Sequence, residues 1–152
     1  DLNNAIVKAI ELAKKHFSGL IIAGKMHGAG VNEPICDLKT IEEFINVGAD
    51  IILVPAVGTV PAFTEEQLIS IVNCAHEKGA LVLTAIGTSQ EGSSSVVIEQ
   101  FGLKNKVCGV DIQHIGDAGY SGLAPVENIF ALSSSIRGIR HTLTMISRSI
   151  NR

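Results

Sequence analysis

Three short segments of the sequence combine glycine with residue types that transfer protons: residues 24–28, 87–93 and 114–122. Histidine is a natural proton shuttle near neutral pH, and carboxylates can serve as an acid or a base. A lysine can form a Schiff base with a carbonyl group or act as a base. The candidate catalytic residues are therefore Lys25, His27, His114, Asp117 and Glu91.

Lys25 and the histidines each have an alternative interpretation. Lys25 could act covalently or as a base, could neutralise a phosphate or carboxylate, or could point to solvent. His27 lies two residues further on, so the two side chains would share a face of a continuing strand. A hydrogen-bonded structural role is the alternative for His114.

Glycine and hydroxyl residues in the second and third segments could hold an anion. Glycine lets the backbone approach a ligand closely, hydroxyls donate, and the N-terminus of a following helix adds a favourable dipole. The candidate anion-binding residues are Gly87, Thr88, Ser89, Gly119, Ser121 and Gly122. The alternative is that these residues only form turns. No P-loop or G-x-G-x-x-G motif accompanies them to favour a phosphate site.

No cofactor is predicted, because the sequence has no H-x-H pair and no carboxylate cluster with metal-ligand spacing. Glu91 and Asp117 could still hold a divalent metal such as Mg through one or two carboxylates. The three cysteines, Cys36, Cys74 and Cys108, show no metal spacing, and their odd number does not suit a disulfide framework. Reduced thiols predict a cytoplasmic location.

Four apolar runs are predicted to be the strands that position these segments. They begin roughly 30 residues apart, which is the length of a βα unit, and each follows a glycine. Near-continuous apolar runs indicate strands buried on both faces. The predicted strands are Leu20–Ala23, Ile51–Val54, Leu81–Ala85 and Val110–Gln113. The three segments thus follow the first, third and fourth strands, at the carboxyl ends where α/β proteins bind ligands.

Amphipathic patterns predict helices before, between and after the strands. Capping-box spacing marks two helix starts, at Thr40 with Glu43 and at Thr64 with Gln67. The predicted helices are Leu2–His16, one from Thr40, one from Thr64, Ser93–Leu103, and one from Pro125 near its N1 position towards Ile150, bent at Gly138.

The element order is α(βα)₄, which predicts an α/β fold of four βα units with parallel strands. Half of a TIM (βα)₈ barrel is the first interpretation, and an open flavodoxin-like parallel sheet is the alternative. Four strands cannot close an eight-stranded barrel alone. Residues 1–152 are predicted to be a single α/β domain, a fragment or half-barrel of a longer chain, because the sequence opens with Asp1 and a helix without its strand. The missing half or a second copy would complete the barrel.

Composition excludes several classes of protein. Hydrophobic residues make up 46% of the 152 residues and aromatic residues 4%, which indicates an aliphatic α/β core. The formal net charge is −3 without a basic tract, so no nucleic-acid partner is predicted. No apolar stretch is long enough to span a bilayer, so no membrane partner is predicted.

The segments around residues 24–28 and 114–128 carry a family resemblance. Gly24-Lys25-Met26-His27-Gly28, Gly116-Asp117-Ala118-Gly119 and Ala124-Pro125-Val126-Glu127-Asn128 resemble a bacterial barrel family of unassigned function, over most of the chain. The resemblance implies a (βα)₈ fold about twice this length, in which some members are labelled haloacid-dehalogenase-like hydrolases. That label implies an Asp-x-Asp pair, whereas the nearest segment here, Asp111-Ile112-Gln113, lacks the second carboxylate.

These observations predict an enzyme that acts on a small phosphorylated or carboxylated metabolite by lyase- or isomerase-like proton transfer or bond cleavage. Residues 87–89 and 121–122 would hold the anion, Lys25 would polarise a carbonyl, and His114 or Asp117 would move the proton. A hydrolase in which His27 or His114 activates water is one alternative. A non-catalytic ligand-binding or assembly domain is the other.

Overall fold

A computed structural model describes residues 2–25, 34, 36–87, 89–116 and 122–150 of the chain. Helices and strands alternate after an initial helix, as the sequence predicts. The helices are α1 (Leu2–His16), α2 (Leu38–Asn46), α3 (Glu65–Glu77), α4 (Ser95–Val107), α5 (Val126–Arg137) and α6 (Ile139–Ser147). The strands are β1 (Ile22–Gly24), β2 (Ile51–Pro55), β3 (Leu81–Ile86) and β4 (Ile112–Ile115).

The four strands form one open, fully parallel sheet in the order β1-β2-β3-β4. This order is that of four consecutive units of a (βα)₈ barrel, and it lacks the reversal of strand order that defines a flavodoxin-like sheet. The predicted α/β half-barrel is confirmed, and the flavodoxin-like alternative is wrong.

Two strands begin later than predicted, because their apolar runs extend into the preceding turns. β1 begins at Ile22 and β4 at Ile112, each two residues after the predicted start. The Val110 N–H donates to the Asn105 carbonyl, so Val110 still belongs to the turn that ends α4. An apolar residue can bury itself from a turn as well as from a strand, and hydrophobicity alone does not place the boundary.

One face of the sheet is covered by helices and forms the core. Its buried side chains are Ala23, Ile52, Val54, Val82, Thr84 and Ile86. Ile52, Val54 and Val82 belong to the same apolar cluster as Phe44 of α2 and Leu68 of α3. Ile86 belongs to a second cluster with Ile98 and Phe101 of α4. Fully burying each aliphatic side chain contributes about 1.5–3 kcal/mol to the free energy of folding.

The opposite face of the sheet, which we call the open face, is partly exposed: Ile22 and Leu81 are 53% and 43% exposed, whereas Ile51 between them is 5% exposed. Side chains alternate along each strand, so this face carries Ile22, Gly24, Ile51, Leu53, Pro55, Leu81, Leu83, Ala85, Ile112 and His114. Burial on both faces, as expected from the apolar runs, holds in the described chain for Ile51 but not for Ile22 or Leu81.

Helix α2 begins earlier than predicted, because a different residue caps it. The Asp37 carboxylate accepts a hydrogen bond from the Thr40 N–H at 3.2 Å, so Asp37 is the N-cap and Thr40 lies in the first turn. The predicted capping box of α3 is confirmed, with Thr64 and Gln67 bonding each other's backbone N–H groups.

The helix predicted at Ser93–Leu103 is α4, which the structure places at Ser95–Val107. The predicted C-terminal helix is in fact two helices, α5 and α6, separated by Gly138. Gly138 has φ +81°, a conformation that breaks the helical hydrogen-bond ladder and suits glycine. Pro125 occupies the N-cap of α5 and not the N1 position.

Candidate functional site

The carboxyl ends of β3 and β4 bring together most of the described candidate residues. His114 lies on the open face, where its Cα pairs with that of Ala85, which in turn pairs with Pro55. His114 is exposed, at the end of its strand where a barrel would place a catalytic side chain. The sequence prediction of a histidine at this edge thus agrees with its position in the sheet.

Three glycines, Gly87, Gly116 and Gly122, bring backbone segments close together beside His114, and we call this group the glycine shelf. A Cβ atom on Gly116 would lie 2.8 Å from the Gly122 carbonyl oxygen and 3.5 Å from Cε1 of His114. A Cβ atom on Gly87 would lie 3.3 Å from the Gly116 carbonyl oxygen. A side chain at Gly116 would therefore clash with the backbone of its own loop, whereas one at Gly87 would meet a tight contact with the loop after β4. The Gly116 N–H also bonds the Ile86 carbonyl at 3.0 Å.

The loop after β3 has an unusual backbone at Ser89. Ser89 has φ +66° and begins a short 3₁₀ helix, Gln90–Gly92. Non-glycine residues in this region are uncommon, and they concentrate at functional sites. Ser89 is exposed at the same edge of the sheet as His114.

Two acceptor atoms in this loop are buried without a hydrogen-bond partner in the described part of the chain. They are Oε1 of Gln90 and Oε2 of Glu91. A buried acceptor without a donor is costly, so such an atom is suited to receive a proton or a hydrogen bond from a ligand hydroxyl.

A buried asparagine holds this loop in place. The Asn128 side-chain amide donates to the Glu91 carbonyl at 2.8 Å and to the Ser93 carbonyl at 2.7 Å, and the residue is 5% exposed. Asn128 thus ties the loop after β3 to the first turn of α5. This residue was not predicted from the sequence.

A second buried asparagine has the same role in the preceding βα unit. Asn105 of α4 accepts a hydrogen bond from the Val57 N–H at 3.0 Å and donates to the Phe101 carbonyl at 2.8 Å. Both asparagines occupy core-facing positions of their helices, at the spacing of the buried stripe. That polar interruption of an apolar stripe is the sequence signal that could have identified them.

The N-termini of α4 and α5 open at the same edge of the sheet. Neither N-cap residue, Ser94 for α4 or Pro125 for α5, makes a side-chain capping hydrogen bond. First-turn N–H groups and the helix dipole therefore contribute positive potential close to the glycine shelf.

Lys25 lies elsewhere, at the opposite side of the sheet. It lines a cavity of about 220 Å³ between the ends of β1 and β2 and the start of α2, with Cys36, Thr40 and Phe44 among its neighbours. Burial raises the pKa of the Cys36 thiol to about 12, although the charge of Lys25 opposes this. The strands of Lys25 and His114 are three steps apart, roughly 14 Å along the sheet.

The structure therefore brings Gly87, His114 and Gly122 together around Gly116 and places Lys25 at the other end of the sheet. Ser89 and Glu91 belong to the same loop as Gly87, after β3. The remaining predicted site residues, His27, Thr88, Asp117, Gly119 and Ser121, lie outside the described residues. Among the residues that are described, no group of three His, Cys, Asp or Glu side chains is placed to hold a metal ion. No described helix is both long enough and apolar enough to cross a membrane.

Two solved enzymes share the fold at low sequence identity. A tetrameric deoxyribose phosphate aldolase from Aeropyrum pernix superposes with a TM-score of 0.64 and 19% identity, over 88% of this chain and 56% of its own. A 3-hexulose-6-phosphate synthase superposes with a TM-score of 0.55 and 14% identity, over 89% of this chain and 57% of its own. The chain thus spans a little more than half the length of these structures. At this identity the likeness concerns the fold alone.

Sequence comparison assigns the family without a function. No functionally curated protein matches the chain, and the haloacid-dehalogenase label finds no support in the comparisons. A family model described as a domain of unknown function, DUF7916, matches residues 2–152. The chain therefore belongs to the DUF7916 family.

Proposed function

We propose that this chain carries some of the active site of a lyase- or isomerase-type enzyme that acts on a small phosphorylated or carboxylated metabolite. The observation that carries the proposal is the position of His114, on the open face at the end of β4 and beside the glycine shelf. A proton-transfer group next to a backbone anion site is what such chemistry requires. The likeness in fold to two enzymes whose names contain a sugar phosphate supports the choice of substrate class.

In this proposal the loops after β3 and β4 hold the anion. Gly87, Ser89 and Gly122 belong to these loops, and the N-termini of α4 and α5 supply further positive potential. His114 transfers the proton, and Oε2 of Glu91 receives a hydroxyl hydrogen of the substrate. Thr88, Gly119, Ser121 and Asp117 remain predicted contributors from the same two loops.

We propose that Lys25 contacts the end of the substrate that lies opposite its anionic group. A separation of roughly 14 Å between its strand and that of His114 is too large for direct contact. A metabolite of several carbon atoms that is anchored at the glycine shelf could extend towards β1, where Lys25 would polarise or bind its carbonyl. His27 is a proposed partner of Lys25 because it lies two residues away in sequence.

Phosphate binding tests the anion site on this chain directly. Inorganic phosphate is titrated into the protein while the histidine Cε1–H resonances are followed by NMR. We expect a saturable shift of the His114 resonance and no shift of His141, an exposed histidine of α6. Equal shifts of both histidines, or none, would argue against an anion site at the glycine shelf.

Activity is best tested in the longest natural polypeptide that contains this chain, with phosphorylated aldehydes and ketones as substrates. His114→Gln should lower kcat/KM by roughly 100-fold, the usual contribution of a general acid or base. His141→Gln serves as the matched control and should leave kcat/KM within about twofold. Phosphate binding without any turnover would instead favour the non-catalytic ligand-binding domain.

Borohydride reduction tests Lys25. A Schiff base between a carbonyl substrate and Lys25 would be trapped as a covalent adduct that mass spectrometry locates on that residue. Lys25→Ala should abolish the adduct, whereas Lys39→Ala, at an exposed lysine of α2, should not. Turnover without any trapped adduct would leave Lys25 as an electrostatic contact only.

A further inference from the structure

Helix α4 is apolar on two opposite faces. Its inner face buries Ile98 and Phe101 in the core. Its outer face exposes Val96, Leu103 and Val107, at 60%, 47% and 79%. The neighbouring helices α2 and α3 each expose a single large apolar side chain. A helix on the outside of an α/β fold needs only its inner apolar face, so the second one indicates a further contact.

The exposed apolar residues of α4 form a continuous stripe. Val96, Gln100, Leu103 and Val107 follow one another at intervals of three or four residues. This spacing places them within about 60° of one another around the helix and spreads them over roughly 17 Å of its length. We call these four residues the α4 stripe. The buried residues of α4 lie on the opposite side, so the α4 stripe faces away from the sheet.

The polar residues beside the α4 stripe are complementary to themselves. Glu99 and Lys106 lie along one side of the stripe, and Lys104 lies along the other. When two copies of a helix pack antiparallel across a two-fold axis, each side faces the same side of the second copy. An axis near Gly102 sets Glu99 opposite Lys106 of the second copy, and Gln100 opposite its Lys104. Each of these pairs occurs twice.

We propose that the α4 stripe binds the α4 stripe of a second copy of this protein, as an antiparallel helix pair across a two-fold axis. In the register that the charges favour, Val96 packs against Val107 of the second copy, and Leu103 lies beside its own counterpart at the axis. The apolar contacts and the ion pairs therefore select the same alignment. This inference concerns assembly on the outer surface and does not rest on the proposed reaction.

A neighbouring helix already holds Lys106 at this surface. The Lys106 ammonium group donates to the Ile136 carbonyl of α5. An ammonium group has three donors, so it can also bond the Glu99 carboxylate of a second copy. A side chain that is fixed before association loses less conformational freedom when the ion pair forms.

Helix α6 also exposes apolar residues, but its charges do not suit a second copy of itself. Ile139, Leu143 and Ile146 are 60%, 52% and 55% exposed. Residues 128–152 contain four arginines and no acidic residue. Two copies of α6 would therefore bring like charges together, which disfavours association. This contrast makes α6 a matched control for α4.

A pair of leucine variants tests the contact in the longest natural polypeptide that contains this chain. Light scattering measures its mass over a range of concentrations, because one helix pair is a small interface and a micromolar Kd is expected. Leu103→Asp places a charge in the α4 stripe and should weaken association at least about 100-fold. Leu143→Asp makes the same change on α6, at a leucine of similar exposure, and should alter it by about twofold or less.

Charge reversal tests the register. Glu99→Lys and Lys106→Glu should each weaken self-association at least about tenfold, because like charges then face each other twice. An equimolar mixture of the two variants should form a mixed dimer, since every reversed charge meets its opposite. Native mass spectrometry detects this dimer when one variant is labelled with ¹⁵N. The double variant should associate more tightly than either single variant.

Three results would overturn the proposal. The first is a wild-type protein that remains a monomer at concentrations up to about 1 mM. The second is an equal loss of association in Leu103→Asp and Leu143→Asp, and the third is single charge variants that associate as tightly as wild type. Circular dichroism checks that each variant keeps its helices. If Leu103→Asp does not fold, the charge variants decide alone.

Discussion

Two residues of the βα loops, Ala62 and Ser89, hold a left-handed backbone that residues with a Cβ atom rarely adopt. Their φ angles are +58° and +66°. Each conformation costs roughly 1–2 kcal/mol relative to an ordinary one, and the surrounding structure must enforce it. Ser89 lies at the proposed anion site, whereas Ala62 lies in the loop after β2.

Ser89→Gly should therefore stabilise the chain while it weakens phosphate binding. Relief of the left-handed strain is expected to raise the free energy of unfolding by about 1 kcal/mol, and loss of the hydroxyl should weaken phosphate about fivefold. Ala62→Gly is the matched control, with a similar gain in stability and unchanged affinity. Urea unfolding and the NMR titration measure the two quantities. Unchanged phosphate affinity in Ser89→Gly would remove its hydroxyl from the site.

The two buried asparagines allow loop positioning to be separated from general stability. Asn105→Ala removes the partner of the Val57 N–H, and Asn128→Ala removes the partner of two carbonyl groups of the loop after β3. Each should lower the free energy of unfolding by about 2–3 kcal/mol, because buried polar groups lose their hydrogen bonds. Only Asn128→Ala should also weaken phosphate binding.

Equal phosphate affinity in the two asparagine variants would contradict the positioning role of Asn128. Asn128→Asp keeps the size of the side chain but replaces the donor by an acceptor. It should weaken phosphate at least as much as Asn128→Ala, because a carboxylate would then face two carbonyl oxygens. Asn73→Ala, at an exposed position of α3, controls for loss of an asparagine.

At the level of elements, two aspartates connect the amino-terminal ends of strands to helices, and we call each such connection a clamp. Asp50, before β2, accepts a hydrogen bond from the Ile21 N–H at 2.9 Å and pairs with Lys14 of α1. Asp111, before β4, accepts from the Val82 N–H at 2.8 Å and contacts His76 of α3 at 2.9 Å. Each carboxylate joins the start of the preceding strand to a helix, at the barrel end associated with stability.

The clamp at Asp50 predicts a loss of stability in acid. The backbone hydrogen bond from Ile21 and then the hydrogen bond from Lys14 lower the pKa of Asp50. Because the folded pKa lies below the unfolded value of about 3.9, the stabilisation is present above that pH and is lost as the pH falls through the folded pKa. Asp50→Asn should lower the free energy of unfolding at pH 7 by about 1 kcal/mol, with a smaller difference in acid.

The measurement for this prediction is urea unfolding from about pH 2.5 to pH 7, a range that spans the unfolded pKa of an aspartate. Glu77→Gln removes the same charge from an exposed position of α3 and is the control. A difference between wild type and Asp50→Asn that stays constant over this pH range would show that the clamp does not depend on the charge of the carboxylate.

For the whole molecule, the open sheet predicts a gradient of local stability in the isolated chain. β2 and β3 are paired on both sides, whereas β1 and β4 have one neighbour each and end the sheet. Amides of β2 and β3 should therefore exchange with solvent more slowly than those of β1 and β4, by about tenfold or more in rate. Hydrogen exchange followed by mass spectrometry measures this gradient. Equal protection of all four strands would mean that the sheet edges are already covered.

Local sequence signals determined the order and type of the elements. Apolar runs of about 30-residue period, capping patterns and turn glycines are properties of neighbouring residues, and they correctly predicted α(βα)₄ and the parallel sheet. Where two local signals competed, the prediction failed: Asp37 outcompetes Thr40 as the cap of α2 because its carboxylate accepts from two groups of Thr40. At Gly138 the sequence predicts only a bend in one helix, whereas the structure has two separate helices.

Contacts between distant residues were decided by the tertiary structure. Periodicity placed Lys25 and His114 at strand ends, but only the strand order shows that they stand on opposite edges of the sheet. Asn128 and Glu91 are 37 residues apart, and nothing local to either one indicates that they bond. The apolar runs likewise do not reveal the open face. Hydrophobicity indicates that a strand tends to be buried, but it does not identify the element that covers it.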